Sequence, residues 1–316
     1  MTTRHAAIKS DDDTRQQTLR GHAAMLAFSA MVAGSFALGS LAAPMIDPLA
    51  VNAARFAFAM LILALILGAQ GVLKRRHFDQ PWRYLILGGL FAYYFATMFM
   101  GLKTATPVSA AAVFTLTPLM AAGFGWLLLR QHTSRSAATA LAVAALGAVW
   151  VIFDANAAAI AALDIGRGEV IFFTGCAAHA LYIPVVRILG RGEPLMVLTL
   201  GMLAGGTIFL GALGLPAILA TDWPALPMIV WITIGYLTVI SGILTFYLVQ
   251  YAAFRLPSGK VMAYTYLTPA WVVAWGAALG HGQPPPLIFA GVIVIVIALL
   301  ILLRDDLATQ ENGSSG

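Results

Sequence analysis

The chain has 316 residues, of which 60% are hydrophobic and only 10% are charged, with a mean hydropathy of +0.88. A soluble domain carries about 25% charged residues, so this composition excludes an ordinary water-soluble protein and predicts an integral membrane protein in contact with the lipid bilayer. The net charge of +5 does not indicate nucleic-acid binding, because the basic residues lie in short connections between apolar segments.

Ten apolar segments, each about long enough to cross a bilayer as a helix, follow one another along the chain. We predict them at 23–43, 49–69, 84–102, 107–129, 137–153, 170–188, 195–215, 228–250, 260–280 and 286–303. The polar residues 1–20 predict a cytoplasmic tail with no cleavable signal peptide at its start. Residues 154–169 predict a periplasmic connection, and residues 305–316 predict a disordered tail.

The positions of lysine and arginine predict the orientation, because cytoplasmic connections carry the excess of both. With the N-terminus inside, fifteen of the 18 basic residues fall on the cytoplasmic side. Arg55, Lys103 and Arg167 are the three that fall on the outer half. Both termini are therefore predicted to lie in the cytoplasm, which an even number of helices requires.

The chain also repeats itself at an offset of 151 residues, at which Leu116-Thr117-Pro118 aligns with Leu267-Thr268-Pro269. With five helices in each copy, the two copies must have opposite orientations in the membrane. We therefore predict an all-α integral membrane protein with ten transmembrane helices in two inverted five-helix repeats, 21–153 and 170–304. Inverted repeats are typical of transporters whose substrate site lies at the interface between the repeats.

Three stretches carry a resemblance to a known family. They are residues 101–118 continuing to Trp126-Leu-Leu-Leu129, Pro48 followed by Arg55-Phe56-Ala57, and 267–269 in the second copy. With them the chain resembles the EamA branch of the drug/metabolite transporter superfamily, and within it the bacterial exporters of aromatic and other neutral amino acids. The family usually has an acidic residue after helices 4 and 9. This chain has Arg130-Gln131 and His281-Gly282 there, so no role of that carboxylate is transferred.

The resemblance implies a secondary carrier, not an enzyme. Such a carrier, in the bacterial inner membrane, would export amino acids or related small metabolites by alternating access through a central cavity. The alternative is an exporter of another metabolite or drug class in the same superfamily. The sequence leaves the oligomeric state open.

The apolar segments contain no mid-helix aspartate or glutamate, which argues against cation/proton antiport and against sodium coupling through carboxylates. No nucleotide-binding motif is present, so the sequence does not support ATP-driven pumping. Uniport, or proton coupling through His179, both stay possible. With a single cysteine, Cys176, and no clustered metal ligands, we expect no cofactor, metal or catalytic residue.

Aromatic, hydroxyl and imidazole side chains in mid-membrane predict a cavity for a neutral, partly apolar ligand. Helical spacing places Tyr264, Thr268 and Trp271 on one face of helix 9, and His179 and Tyr182 on one face of helix 6. The predicted substrate-binding residues are Tyr94, His179, Tyr182, Tyr236, Tyr264, Thr268 and Trp271. Aromatic residues near helix ends have the alternative role of anchors at the membrane interface.

Three prolines inside helices, Pro118, Pro184 and Pro269, are predicted hinges, because proline frees backbone groups of the preceding turn. Gly201 and Gly205 have the small-xxx-small spacing that favours close helix packing. For Arg55, snorkelling towards the outer interface is the favoured interpretation, and attraction of a substrate carboxylate is the alternative.

Overall fold

The computed structural model describes residues 2–253, 255–256, 263–280 and 284–313, the two ends (2–15 and 302–313) as backbone alone. These residues form an all-helical fold. Its helices are α1 (Thr2–Ala42), α2 (Pro48–Ala69), α3 (Trp82–Gly101), α4 (Pro107–Phe114), α5 (Thr117–Leu129), α6 (Arg135–Ile152), α7 (Ala157–Ala162), α8 (Arg167–Leu189), α9 (Leu195–Ala220), α10 (Met228–Gly235), α11 (Thr245–Ala253), α12 (Thr268–Ala278) and α13 (Pro286–Gly313). A π-helical stretch, Tyr236–Leu244, joins α10 to α11.

Eight of the predicted membrane segments are helices long and apolar enough to cross a bilayer, as far as the chain is described. The other two are also helical. Pro286–Ile301, within α13, is a shorter apolar helix. The predicted segment 260–280 contains a 3₁₀ turn, Tyr264–Leu267, followed by α12, whereas its beginning, with Lys260, lies outside the described residues.

Both ends of the described chain are helical. Helix α1 begins at Thr2, so the predicted tail 1–20 is mostly a continuation of the first membrane helix. Helix α13 continues to Gly313, so the described part of the predicted tail 305–316 has a helical backbone. Residues 2–20 contain no proline or glycine, and neither do residues 305–312. No helix-breaking residue therefore interrupts either stretch.

Side-chain caps determine where several helices begin. The Asp47 carboxylate accepts hydrogen bonds from the backbone N–H groups of Leu49 and Ala50 at the start of α2. The Thr106 hydroxyl accepts one from the N–H of Ser109 at the start of α4. In both helices proline is the first helical residue, where its missing N–H costs nothing. The Asp-Pro and Thr-Pro pairs therefore start helices at the membrane surface.

The two aligned motifs, 116–118 and 267–269, have the same local structure. A new helix begins at the threonine of each, with the proline in its first turn. The preceding leucines have almost identical backbone angles, φ −78° and ψ −14° at Leu116, φ −78° and ψ −10° at Leu267. The repeat detected in the sequence is thus a repeated break in two membrane segments. Pro184, in contrast, lies within the uninterrupted helix α8.

Helix α3 packs against α8 and α9 at backbone distance. A Cβ atom added at Gly88 would collide with the backbone at Gly206, and one added at Gly205 would collide with the carbonyl oxygen of Tyr84. At Gly201 an added Cβ would enter the ring of Tyr84. The predicted packing role of the Gly201–Gly205 stripe is confirmed, since only glycine leaves room for this approach.

The connections lie on two faces. Arg83 binds Glu193 across 2.7 Å, and Arg191 donates to Gln80, which places the α2–α3 connection beside the α8–α9 turn. We call this side, which carries Arg75, Arg76 and Arg191, the basic face. The opposite face carries the α3–α4 connection and the start of α8, where Ser109 donates to Glu169 at 2.8 Å.

Candidate functional site

A cavity of about 490 Å³ lies in the middle of the helices. Its walls come from α1, α2 and α3 of the first half and from α8, α9 and the π-helical stretch with α11 of the second half. The lining is mostly apolar, and none of the described residues in it is aspartate or glutamate. A cavity of this volume, with few polar groups, is typical of a site for a small organic molecule.

One wall of the cavity is aromatic. Phe91, Tyr94 and Phe95 lie on one side of α3, because their spacing of three and four residues brings them to the same face. From α8, the ring of His179 stacks on that of Tyr94 with centroids 4.6 Å apart, and the ring of Tyr182 lies 5.1 Å from that of Phe91. These rings provide a flat, apolar surface with polar atoms at its edges.

Four rings close the cavity towards the opposite face, and we call them the aromatic seal: Phe36, Tyr94, Phe114 and Phe172. The ring of Phe36 lies 5.9 Å from both Phe114 and Phe172, and that of Tyr94 lies 6.0 Å and 5.7 Å from the same two rings. All four side chains are buried. The seal excludes solvent by ring contacts between helices of both halves.

The cavity extends in the other direction to the basic face. Its lining follows α8 from His179 to Arg187 and α9 from Leu203 back to Leu195. Arg187 and Leu195, at the ends of these two stretches, are exposed. The structure therefore shows one state of the molecule, sealed towards the opposite face and accessible from the basic face.

Arg55 is a buried cation in the wall of this cavity. It lies in α2 about 10 Å from Pro48 at 1.5 Å per residue, and it is only 5% exposed. Its guanidinium carbon lies 3.6 Å from the centroid of the Phe95 ring, and its Nη1 atom is buried with no hydrogen-bond partner. The favoured interpretation of snorkelling is therefore wrong, because the guanidinium points into the protein and is covered by a ring from α3.

The hydroxyl groups of the cavity mostly bond within the protein. Ser35 of α1 and Ser241 of the π-helical stretch are hydrogen-bonded to each other at 2.6 Å. The Thr199 hydroxyl donates to the carbonyl oxygen of Leu195. In contrast, Nδ1 of His179 is buried without a hydrogen-bond partner. Arg55 and His179 thus each bring a buried, unpartnered nitrogen atom to the lining of the cavity.

The structure places three of the seven predicted binding residues, Tyr94, His179 and Tyr182, in the cavity lining. Phe95 and Ser241, which the sequence did not single out, lie there too. In the sequence, the residue that points to this cavity is Arg55, because an arginine inside an apolar membrane segment is a candidate functional residue by default.

The other four predicted residues do not line this cavity. The Tyr236 hydroxyl donates to the carbonyl oxygen of Met31, the Trp271 indole N–H donates to Ser29, and Tyr264 bonds to His22. Thr268 is fully buried and donates to the carbonyl oxygen of Thr265. The physical reason is that α1 packs against these residues, so that the polar atoms of Tyr236, Tyr264 and Trp271 bond to α1 instead of facing a ligand.

A buried ion pair lies at the basic face, beside the cavity mouth. Arg83 donates to the carbonyl oxygen of Leu189 and to the Glu193 carboxylate, and the side chains are 2% and 5% exposed. Burial alone raises the pKa of Glu193, but hydrogen bonds from the Arg191 backbone N–H and from Arg83, with the charge of Arg83, hold it below the ordinary value of 4.5. This pair fixes the α8–α9 turn to α3.

Comparison with known proteins identifies the fold. The model of the EamA-like transporter family matches residues 19–153 and again 166–304. The chain is 26% identical over 269 residues to a protein of Bacillus subtilis (strain 168), the uncharacterized transporter YyaM, with 81% of this chain and 85% of that protein covered. A crystal structure superposes with a TM-score of 0.65 at 21% identity, over 93% of this chain and 99% of that one.

The chain is a multi-pass helical membrane protein, and its two halves enclose a cavity for a small molecule. Together with the similarity to transporter sequences, this defines a membrane transporter. Two copies of one family model cover nearly all of its membrane segments. The chain belongs to the EamA-like transporter family, within the drug/metabolite transporter superfamily, and it is a transporter rather than an enzyme.

Proposed function

We propose that the protein is a secondary carrier that exports neutral amino acids, chiefly aromatic ones, or related small metabolites by alternating access. The observation that carries this proposal is the cavity of about 490 Å³ between the two halves, with its aromatic wall of α3 and α8 residues. The rings of Phe91, Tyr94 and His179 suit an apolar side chain, and the unused polar groups of Arg55 and His179 suit its polar end.

An exporter needs a state that takes up substrate from the cytoplasm, and the sidedness of the cavity supports assigning the structure to that state. The excess of basic residues assigns the basic face to the cytoplasm, with both termini on that side of the bacterial inner membrane. Access from the basic face then makes the structure the loading state of an exporter. The aromatic seal is the barrier that must separate for release on the outside.

The proposal predicts a graded effect of Tyr94→Ala on transport. A larger substrate side chain shares more surface with the Tyr94 ring, so its loss should weaken phenylalanine binding by about 1–3 kcal/mol, or roughly tenfold to hundredfold. Alanine should be affected much less. The measurement is competition by amino acids of graded side-chain size for transport in proteoliposomes.

Two variants serve as controls for this experiment. Tyr93→Ala removes the neighbouring tyrosine, whose side chain is exposed on another face of α3, and should leave selectivity unchanged. Trp271→Ala removes a ring that bonds to α1. It should lower the amount of folded protein and therefore reduce transport of all substrates by the same factor. Equal loss for every substrate in Tyr94→Ala would contradict the aromatic site.

A further inference from the structure

We infer that Arg55 binds the carboxylate of the transported molecule and that this carboxylate is the only charged group the site requires, so that apolar monocarboxylates without an ammonium group are substrates. The inference deepens the proposed carrier function and rests on it. It extends the substrate class from amino acids to organic monocarboxylate anions with an apolar, chiefly aromatic, body.

The first step is that none of the described side chains lining the cavity is a counter-ion for Arg55. The ion pair Arg83–Glu193 lies at the basic face, and Arg55 takes no part in it. Around Arg55 the structure has rings instead, Phe95 at 3.6 Å and Phe56 at 5.2 Å from the guanidinium carbon. A buried charge is unfavourable unless it is paired and hydrogen-bonded. The unpaired Nη1 therefore indicates an anionic partner that comes and goes.

The second step is the geometry of the wall. Arg55 borders the same cavity as Phe91, Tyr94 and His179, and its guanidinium lies over Phe95, the ring next to Tyr94. A guanidinium binds a carboxylate through two parallel hydrogen bonds, which also fixes the orientation of the ligand. A carboxylate held there leaves the apolar body of the ligand in the same cavity as the aromatic wall.

The third step is that the described lining offers an ammonium group no charged partner. The described lining contains no carboxylate, and the hydroxyls of Ser35 and Ser241 are bonded to each other. The ring of Phe95 is already covered by the guanidinium, whose charge disfavours a second cation nearby. An α-ammonium group therefore loses hydration on entry without gaining a charged partner. The carboxylate alone accounts for polar recognition.

This recognition also explains how export runs without a proton-binding or sodium-binding carboxylate. A monocarboxylate without an ammonium group carries a net negative charge. The membrane potential, negative inside, favours its movement from the cytoplasm to the outside. Export of such an anion is driven by the potential alone, and zwitterionic amino acids lack this driving force.

The experiment compares three probes that share a phenyl ring and differ in charge: 3-phenylpropionate, phenylalanine and phenethylamine. Binding of each to the purified full chain in nanodiscs is measured by calorimetry at neutral pH. We expect 3-phenylpropionate to bind at least as tightly as phenylalanine, and phenethylamine to bind at least tenfold more weakly than either. In proteoliposomes, efflux of 3-phenylpropionate should generate a current that reverses with the imposed potential.

Variants at position 55 test the role of the guanidinium. Arg55→Gln should weaken the binding of 3-phenylpropionate and phenylalanine about tenfold to hundredfold. Arg55→Lys keeps the charge and should retain part of the affinity. It also tests the site if the glutamine variant does not fold. The matched control is Arg135→Gln, the same change at an exposed residue on α6, which should bind all probes normally.

The outcomes separate the inference from the proposed function. If phenylalanine binds and is transported but 3-phenylpropionate does neither, the inference is overturned and the carrier function stands. Unchanged carboxylate affinity in a folded Arg55 variant likewise overturns it. If no probe binds or moves, the proposed function itself fails, and the inference fails with it.

Discussion

At the scale of single residues, the carboxylate of Glu193 has the clearest pH dependence. Its pKa lies below the ordinary value of 4.5 because the Arg191 N–H and Arg83 bind the charged form, which outweighs the effect of burial. A lowered folded-state pKa contributes stability that is fully present above the unfolded pKa and is lost as the pH falls through the folded pKa. The ion pair with Arg83 thus stabilises the protein at neutral pH.

We predict that Glu193→Gln lowers the thermal unfolding temperature by an amount that is constant from about pH 6 to pH 8. The free-energy loss should be about 3 kcal/mol or less, since glutamine still accepts one hydrogen bond while Arg83 loses its ion pair. The difference should shrink as the pH falls below about 4.5 and vanish only below the lowered folded-state pKa, where Glu193 is neutral in the folded protein too. Unfolding temperatures measured across this range provide the test.

The control for this prediction is Asp79→Asn, which neutralises an exposed carboxylate in the connection before α3. It should leave the unfolding temperature almost unchanged at neutral pH. A difference between Glu193→Gln and the unmodified protein that persists at full size at low pH would contradict a role for the charge of Glu193.

At the scale of helices, the contact between α3 and α9 depends on glycine. We predict that Gly205→Ala lowers the unfolding temperature and the yield of folded protein, because its Cβ would collide with the backbone of Tyr84. Gly211→Ala, on the same helix with no atom near the added Cβ, is the matched control. It should be neutral or stabilise by roughly 0.5–1 kcal/mol, since alanine favours helix over glycine. Equal destabilisation by both would contradict the packing argument.

The helices also show what sequence patterns can and cannot predict. Hydrophobic runs are local, and they located the membrane segments. Helical spacing likewise predicted that His179 and Tyr182 share a face. Spacing does not reveal which neighbour covers a face, and therefore Trp271, whose indole bonds to α1, was assigned to the cavity. The position of Arg55 was missed for the same reason, because Phe95 of another helix covers it.

At the scale of the whole molecule, we predict that the basic face is cytoplasmic. Arg76→Cys and Asp164→Cys, at exposed positions on opposite faces, should react with a membrane-impermeant maleimide from opposite sides. In intact cells only Asp164→Cys should be labelled, and Arg76→Cys should need permeabilisation. The single natural cysteine, Cys176, is completely buried, so the unmodified protein is the blank. Labelling of Arg76→Cys in intact cells would reverse the orientation and with it the proposed direction of transport.

The unpaired guanidinium of Arg55 also has a consequence for the kinetics of the transport cycle. To change from access at one face to access at the other, the empty protein must enclose a bare positive charge in a dry cavity, whereas the loaded protein encloses a neutral pair. Return of the empty carrier is then the slower half of the cycle. Exchange of substrate between the two sides of the membrane therefore runs faster than net efflux, and substrate on the far side accelerates the release of substrate from within.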